Sequence, residues 1–379
     1  MRKIRFLTAG ESHGPALTVI LEGIPAGLPL TKAEIDRDLA RRQQGFGRGG
    51  RMAIEKDGVE ILSGLRNGLT LGTPVGLLVR NRDWENWKEV MAAAPGSPKA
   101  KPVTAPRPGH ADLSGALKFG FQDIRNVIER ASARETAARV AAAAVVKKLL
   151  LTFGMGIYSR VVQIGTVRDH SEFHPPKDYA VVENSRLRSL SAVAEVKMVE
   201  LINQARDNGD TLGGIFEVKA TGLPVGLGTY TQWDLRLDGL LAQALMSIPG
   251  VKGVEIGEGF RLASLFGSRV QDEIFYGPEK GFYRKTNRAG GLEAGITNGQ
   301  ALIIRAAMKP ISTLGQPLTT VDIISRKPDT AVKERSDVCA VPAAGIVGEA
   351  MVAFVLADAF LEKFGGDSIA EIKSRLRSP

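Results

Sequence analysis

Cysteine is nearly missing from this 379-residue chain: Cys339 stands alone. An internal disulfide is therefore excluded, and the usage fits a reducing, cytoplasmic setting. Aromatic residues are also scarce, 6% of the chain with three Trp and five Tyr. Proteins that hold single-stranded nucleic acid alternate cations with stacking platforms, and no aromatic ladder accompanies the arginines here. Long apolar runs are few. "RVAAAAVVKKLLL" (139–151) is interrupted by Lys147 and Lys148 and falls short of the ~20 residues that span a bilayer. No secretory leader is read at the start, no low-complexity linker divides the chain, and composition does not shift between its halves. One intertwined α+β domain over residues 1–379 is expected, with a loop-rich excursion at about 169–190.

What is present is positive charge. The net formal charge is +9, which suits an anionic partner: nucleic acid, or a phosphorylated or carboxylated metabolite. The charge is concentrated in "ARRQQGFGRGGRM" (40–52), with four arginines, no acid, and a Gly-x-Gly-x-x-Gly spacing over Gly45, Gly47 and Gly50. A dinucleotide fingerprint needs a strand before it and a helix after it. Here the order is reversed. Thr31 with Glu34 makes a capping-box start for a helix at about 31–42, and "AIEKDGVEIL" (53–62) reads as a hairpin around Asp57-Gly58. An RGG-like nucleic-acid segment and an arginine clamp on a small polyanion remain as alternatives.

Further along, a proline-rich loop covers about 95–109, and a helix from about 132 to 151 starts at Ser132. Strands are expected near 157–167, 212–221, 259–265 and 300–307, and helices at about 191–207, 234–247 and 345–363, the last stopped by Gly365-Gly366.

Several short segments could carry chemistry. "AGESHG" (9–14) sets Ser12 and His13 between glycines after a strand, and "RPGHADLSG" (107–115) sets His110 three residues after Arg107. A histidine can move a proton near neutral pH. His170 and His174 have metal-like spacing, but Pro175 and Pro176 argue against a helix there, and both read as surface residues. "ERASARETAARV" (129–140) places Arg130, Ser132 and Arg134 at a helix start, where free N–H groups and the helix dipole favour an anion. "MKPIST" (308–313) could hold a phosphate or form a simple turn, and "RSDVCAVPAAGIVGEAM" (335–351) leads Arg335 and Asp337 into the last helix.

Together these segments resemble the chorismate synthase family. The likeness runs through "RRQQGFGRGGRM", "RPGHAD", "GDTLGG", "LPVGLG", "ALMSIPGVKGVEIGEGF", "NRAGG" and "AAMKPIST", and covers about residues 1–365. It implies a β-α-β sandwich of antiparallel sheets enclosing helices, and a homotetramer acting on a small molecule, with neither nucleic acid nor membrane as partner. It implies a lyase that removes phosphate from 5-enolpyruvylshikimate 3-phosphate by anti-1,4-elimination. The reaction requires reduced FMN, with NADPH a possible reductant. A second activity as an NADPH-dependent flavin reductase and a polyanion- or RNA-binding role are the alternatives.

By motif match, the resemblance gives substrate contacts to Ser12, Arg42, Arg48, Arg107, Arg134 and Arg335. It gives flavin contacts to Arg130, Ala131, Ser132, Pro249, Gly250, Ala294, Lys309, Pro310, Ile311, Ser312, Thr313 and Arg335. His13 matches the residue that protonates the leaving phosphate, His110 one that supports the reduced flavin, and Asp337 one that assists at its N5. No metal is implied. Two further expectations follow: the loop at 44–51 is ordered by ligands, and arginines around His13 disfavour its proton until anions bind.

Overall fold

A computed structural model of the chain describes residues 3–50, 55–95, 101–334 and 336–377. Two antiparallel sheets carry it. Strands β1 (Arg5–Ala9), β2 (Ala16–Glu22), β3 (Val59–Ile61) and β4 (Val75–Arg80) form the first, in the order β1-β2-β4-β3. Strands β5 (Gly156–Ile164), β6 (Val167–Arg168), β7 (Gly214–Thr221), β8 (Val251–Ile256) and β9 (Leu302–Met308) form the second, in the order β8-β9-β7-β5-β6. The principal helices are α1 (Lys32–Gln43), α2 (Asp112–Phe119), α3 (Arg125–Ala131), α4 (Thr136–Thr152), α5 (Ala192–Asp207), α6 (Leu237–Met246) and α7 (Val341–Phe364).

The layers follow from which faces are apolar. α4 is alanine- and valine-rich and buries Ala137, Ala138, Ala141 and Val145, so it can lie close to β2 and β4 on one side and α7 on the other. α7 packs on β5 and β7. Its approach depends on Gly348, where a Cβ would come within 2.6 Å of Phe216 Cε2. Phe216 is fully buried, a contribution of roughly 1.5–3 kcal/mol for a side chain of that size. The result is the sheet–helix–sheet sandwich expected of an α+β chain. α7 is long and apolar enough to cross a membrane by length and composition, a run the sequence reading passed over, but its apolar window is 89% buried as the core helix.

Several boundaries differ from expectation. No hairpin forms over 55–62: only Val59–Ile61 is strand, paired with β4, while Asp57 turns into the interior, and 51–54 lie outside the described residues. Residues 259–264 are a 3₁₀ turn, and the strand is β8, just before it. The excursion at 169–190 contains a short helix, Tyr179–Asn184. α7 begins at Val341 rather than 345, with Pro342 in its first turn, where a missing N–H costs nothing. Of the proline-rich loop, 96–100 lie outside the described residues.

Candidate active site

The turn between β1 and β2 carries Ser12 and His13. Asn81, at the end of β4, ties this turn down: its Nδ2 donates to Gly14 O at 2.7 Å and to Glu11 O at 3.1 Å. The other end of the same amide, Oδ1, accepts from Arg134 Nε at 2.9 Å. Arg134 thus shares a support with the histidine turn. It sits in the 3₁₀ turn Ala133–Glu135 that opens α4, with Ser132 accepting its backbone N–H at 3.3 Å.

Arg42 lies in the last turn of α1, where the helix dipole favours a cation. Its Nε donates to Thr136 Oγ1 and its Nη2 to Ala133 O, both at 2.9 Å. Asp57 is the counter-ion of both arginines: its two oxygens each lie 2.7 Å from Arg134 Nη1, and one lies 3.7 Å from Arg42 Nη1. Burial, with Arg134 and Arg48 close by, pulls the Arg42 guanidinium down to about 9, still charged at neutral pH. Arg42 Nη1 and Arg134 Nη2 are buried and have no hydrogen-bond partner. Buried donors left over in this way are costly unless an acceptor arrives.

The glycine-rich loop folds against the segment leading into α7. Gly47, in the left-handed region at φ 88°, gives its carbonyl to Val338 N–H at 2.8 Å. Gly49 gives its N–H to Asp337 Oδ1 at 2.6 Å, and a Cβ there would meet Ser336 O at 2.5 Å. Arg48 Nε pairs with Asp337 Oδ2 at 3.0 Å. Phe46 N–H is held by Arg186 O at 2.9 Å. Within the loop at 44–51, expected to be ordered by ligands, Gln44, Phe46, Gly47 and Gly49 have protein anchors, and residue 51 lies outside the described residues.

Each cavity histidine has a buried carboxylate. His13 Nδ1 is 3.0 Å from both oxygens of Glu129, and its ring stacks on Trp87 at 4.1 Å. Its other nitrogen has Asp83 at 4.0 Å. The nearest charges to this ring are acids, not the arginines expected. His110 Nδ1 pairs with Asp112 Oδ1. Arg107 is committed to the same carboxylate, Nε to Asp112 Oδ2 at 2.8 Å, while its Nη1 donates to Thr313 Oγ1 at 2.9 Å. Burial pushes the Asp112 carboxyl up, but hydrogen bonds from His110 and Arg107 outweigh it and hold the group well below the ordinary range.

These pieces enclose one cavity of about 1040 Å³. Ser12, His13, Arg42, Arg48, Arg107, His110, Arg134 and Asp337 all line it, as do Ala131, Ser132, Pro249, Gly250 and the run Lys309–Thr313. Arg130 does not; its guanidinium turns to Thr8 O and Gly10 O. Ala294 does not either. It occupies the turn between the paired strands Leu292–Glu293 and Ile296–Thr297, at φ 50°. Arg335 lies outside the described residues. His170 and His174 are exposed and do not line the cavity. Sequence reasoning missed Asp57, Asn81, Asp83, Trp87 and Glu129.

The arginines converge on a chamber instead of tracking along a groove, and every pairing in the two main sheets is antiparallel, so neither the RGG nor the dinucleotide reading is needed. Fold and chamber define an enzyme for a small polyanion, with two carboxylate-backed histidines beside paired arginines. The comparisons narrow the class. The sequence model of the family "Chorismate synthase" matches residues 4–361. The chorismate synthase of Desulforudis audaxviator is 58% identical, with 97% of this chain and 95% of the relative aligned. That of Aquifex aeolicus is 55% identical over 99% and 97%. A solved structure titled "Crystal Structure of Chorismate Synthase" superposes with a TM-score of 0.80 at 45% identity, covering 99% of this chain and 97% of that one. The chain belongs to the chorismate synthase family. Its function is the family's: a lyase step of the shikimate pathway that yields chorismate for aromatic amino-acid biosynthesis.

Proposed function

We propose that the chamber holds 5-enolpyruvylshikimate 3-phosphate beside reduced FMN and eliminates phosphate with His13, His110 and Asp337 in the working roles. The observation that carries this is the pair of buried, hydrogen-bond-free donors Arg42 Nη1 and Arg134 Nη2, on residues lining the same cavity as both histidines. A ligand bearing two carboxylates and a phosphate supplies the acceptors they lack.

The lining fits a flavin as well. Ala131-Ser132, Pro249-Gly250 and Lys309–Thr313 offer close backbone, and Ile128, Met246, Ile248 and Met308 offer apolar surface for a flat ring. Reduced flavin, when bound, supplies electron density that eases departure of the phosphate. The protein's own groups do the rest. The C–O bond to phosphate breaks, the C6 hydrogen leaves, and a ring double bond forms with no net redox change. His13 gives a proton to the departing phosphate from Nε2. Asp337 is the cavity carboxylate that holds the C6 proton afterwards. Its pairing with Arg48 couples binding to chemistry, because a substrate carboxylate that takes Arg48 releases Asp337. Arg107 acts behind His110, touching its Nδ1 directly from Nη2 at 3.0 Å and sharing Asp112 with it.

We also read the chain as one domain, since one apolar core runs from Ile4 to Ile372, and as cytoplasmic. A homotetramer is supported by apolar side chains left exposed at Trp233, Phe260, Phe266 and Phe282, each 79–85% accessible; sedimentation would test it. The decisive assay is anaerobic phosphate release from 5-enolpyruvylshikimate 3-phosphate with and without reduced FMN. Release that is independent of flavin would overturn the cofactor assignment, and mixing with NADPH tests whether the chain reduces its own flavin.

A further inference from the structure

We propose that Glu129 is the positioning residue of His13: a buried carboxylate that keeps one ring proton on Nδ1 and so reserves Nε2 for the departing phosphate. This rests on the reading of His13 as proton donor.

The geometry is specific. The Glu129 side chain has no solvent exposure, and both of its oxygens lie 3.0 Å from His13 Nδ1. Oε2 also accepts the backbone N–H of His13 at 2.7 Å, and Glu129 O accepts the backbone N–H of Ser12 at 3.0 Å. One residue of α3 therefore fixes the turn, the ring and the proton, although it is 116 positions away in sequence. Trp87 closes on the ring at an interplanar angle of 26°, which limits rotation of the imidazole.

The two ring nitrogens are then unlike. An ionised carboxylate can only accept, so the nitrogen facing it must carry hydrogen. Burial pushes the Glu129 carboxyl up, but its contacts with His13 and Arg125 more than offset this and hold it below the ordinary value. Arg125 Nη1, at 3.3 Å from Oε1, balances the buried charge. On the far side Asp83 is no rival for Nε2. It stands at 4.0 Å, and its oxygens accept from Asn86 Nδ2 at 2.8 Å and Trp87 Nε1 at 3.3 Å. When the Nε2 proton moves to a phosphate oxygen, the imidazolium becomes a neutral ring that still donates from Nδ1. Glu129 is unchanged, and the ring reloads at Nε2 without turning over.

The primary test uses the unmodified protein. With only four histidines in the chain, ¹⁵N-histidine labelling resolves each ring, and His13→Ala assigns the His13 signals. Above its titration the His13 ring should show a protonated Nδ1 and a bare Nε2; the opposite tautomer overturns the proposal. Glu129→Gln, whose amide can donate toward Nδ1, should lower turnover about tenfold to a hundredfold with KM little changed. Glu129→Asp should recover part of that loss. In a His13→Ala background Glu129→Gln should add little. Wild-type turnover in Glu129→Gln, or an undiminished loss in the His13→Ala background, also overturns it. If Glu129→Gln does not fold, the tautomer decides. Full turnover by His13→Ala refutes the proton-donor reading separately, whatever the tautomer.

Discussion

Asp57→Asn isolates the idea that this chamber is primed for anions. Asp57 accepts two 2.7 Å hydrogen bonds from Arg134 and stands 3.7 Å from Arg42, with all three groups buried. At an effective dielectric of 20 the attraction across 3.7 Å is about 4–5 kcal/mol before desolvation is counted. Removing one partner of a buried pair costs about 3–5 kcal/mol, because the other charge stays behind uncompensated. Two guanidiniums stay behind here, with Glu55 at 3.7 Å from Arg134 as partial relief. The variant should therefore lose about 3–5 kcal/mol of unfolding free energy in urea, which does not screen the charges as guanidinium chloride would. Inorganic phosphate should then bind the variant about tenfold more tightly and restore ~1.4 kcal/mol more than it gives the parent. Equal urea midpoints without phosphate, or equal phosphate increments, would show that these arginines were never short of negative charge.

Asp112→Asn should remove the anion that His110 and Arg107 share, lowering anaerobic turnover at least tenfold while flavin affinity, read by titration, stays near wild type. Gly49→Ala places a methyl 2.5 Å from Ser336 O and must open the loop from Asp337; turnover should fall with circular dichroism unchanged. Glu349 is fully buried among Arg41, Lys147 and Arg188; burial raises its carboxyl, but those cations carry it well below 4.5. A depressed acid contributes stability that is full above its unfolded value and is lost as pH falls through the folded one. The urea midpoint should hold from neutral pH down to about 4.5 and drop below it, and Glu349→Gln should flatten that acid limb.

Much of the frame was legible because local chemistry agreed with it. Thr31 N–H does bond Glu34 Oε2, at 2.9 Å, and the helix expected at about 191–207 is α5, which Ser191 caps. The strand expected at 259–265 failed because Gly253, Gly257 and Gly259 hide β8, which is held by β9 across a bulge at Val251 and Gly253. The hairpin at 53–62 failed because Asp57-Gly58, a turn signal by itself, was taken over by Arg134 and by Gln43, whose Oε1 accepts Asp57 N–H at 3.0 Å. In the site, cationic and imidazole residues could be picked out by their glycine-rich settings. Of their carboxylate partners only Asp337, paired with Arg48, stood out; the rest could not be read. Asp112 alone left a local trace, two residues after His110; Glu129 and Asp57 meet their partners only through the tertiary fold.

Arg41 and Arg42 show why counting charge misleads. They are adjacent on α1, and a helix turns neighbours about 100° apart. Arg41 points into the core, where Glu349, Glu183 and Asp38 take its donors at 2.8–3.0 Å. Arg42 points into the chamber and keeps one nitrogen without a hydrogen bond. Both contribute equally to the net charge of +9, yet only Arg42 has anything to offer a ligand. Through Asp57, Asp337 and Glu55, the chamber's arginines are largely neutralised before substrate arrives. Its selectivity must then come from where the unfilled donors sit more than from a bare positive field. That explains how Arg42, Arg48 and Arg134 can share one site at all: the carboxylates hold them in place, and an anion that takes the unfilled donors would complete the set.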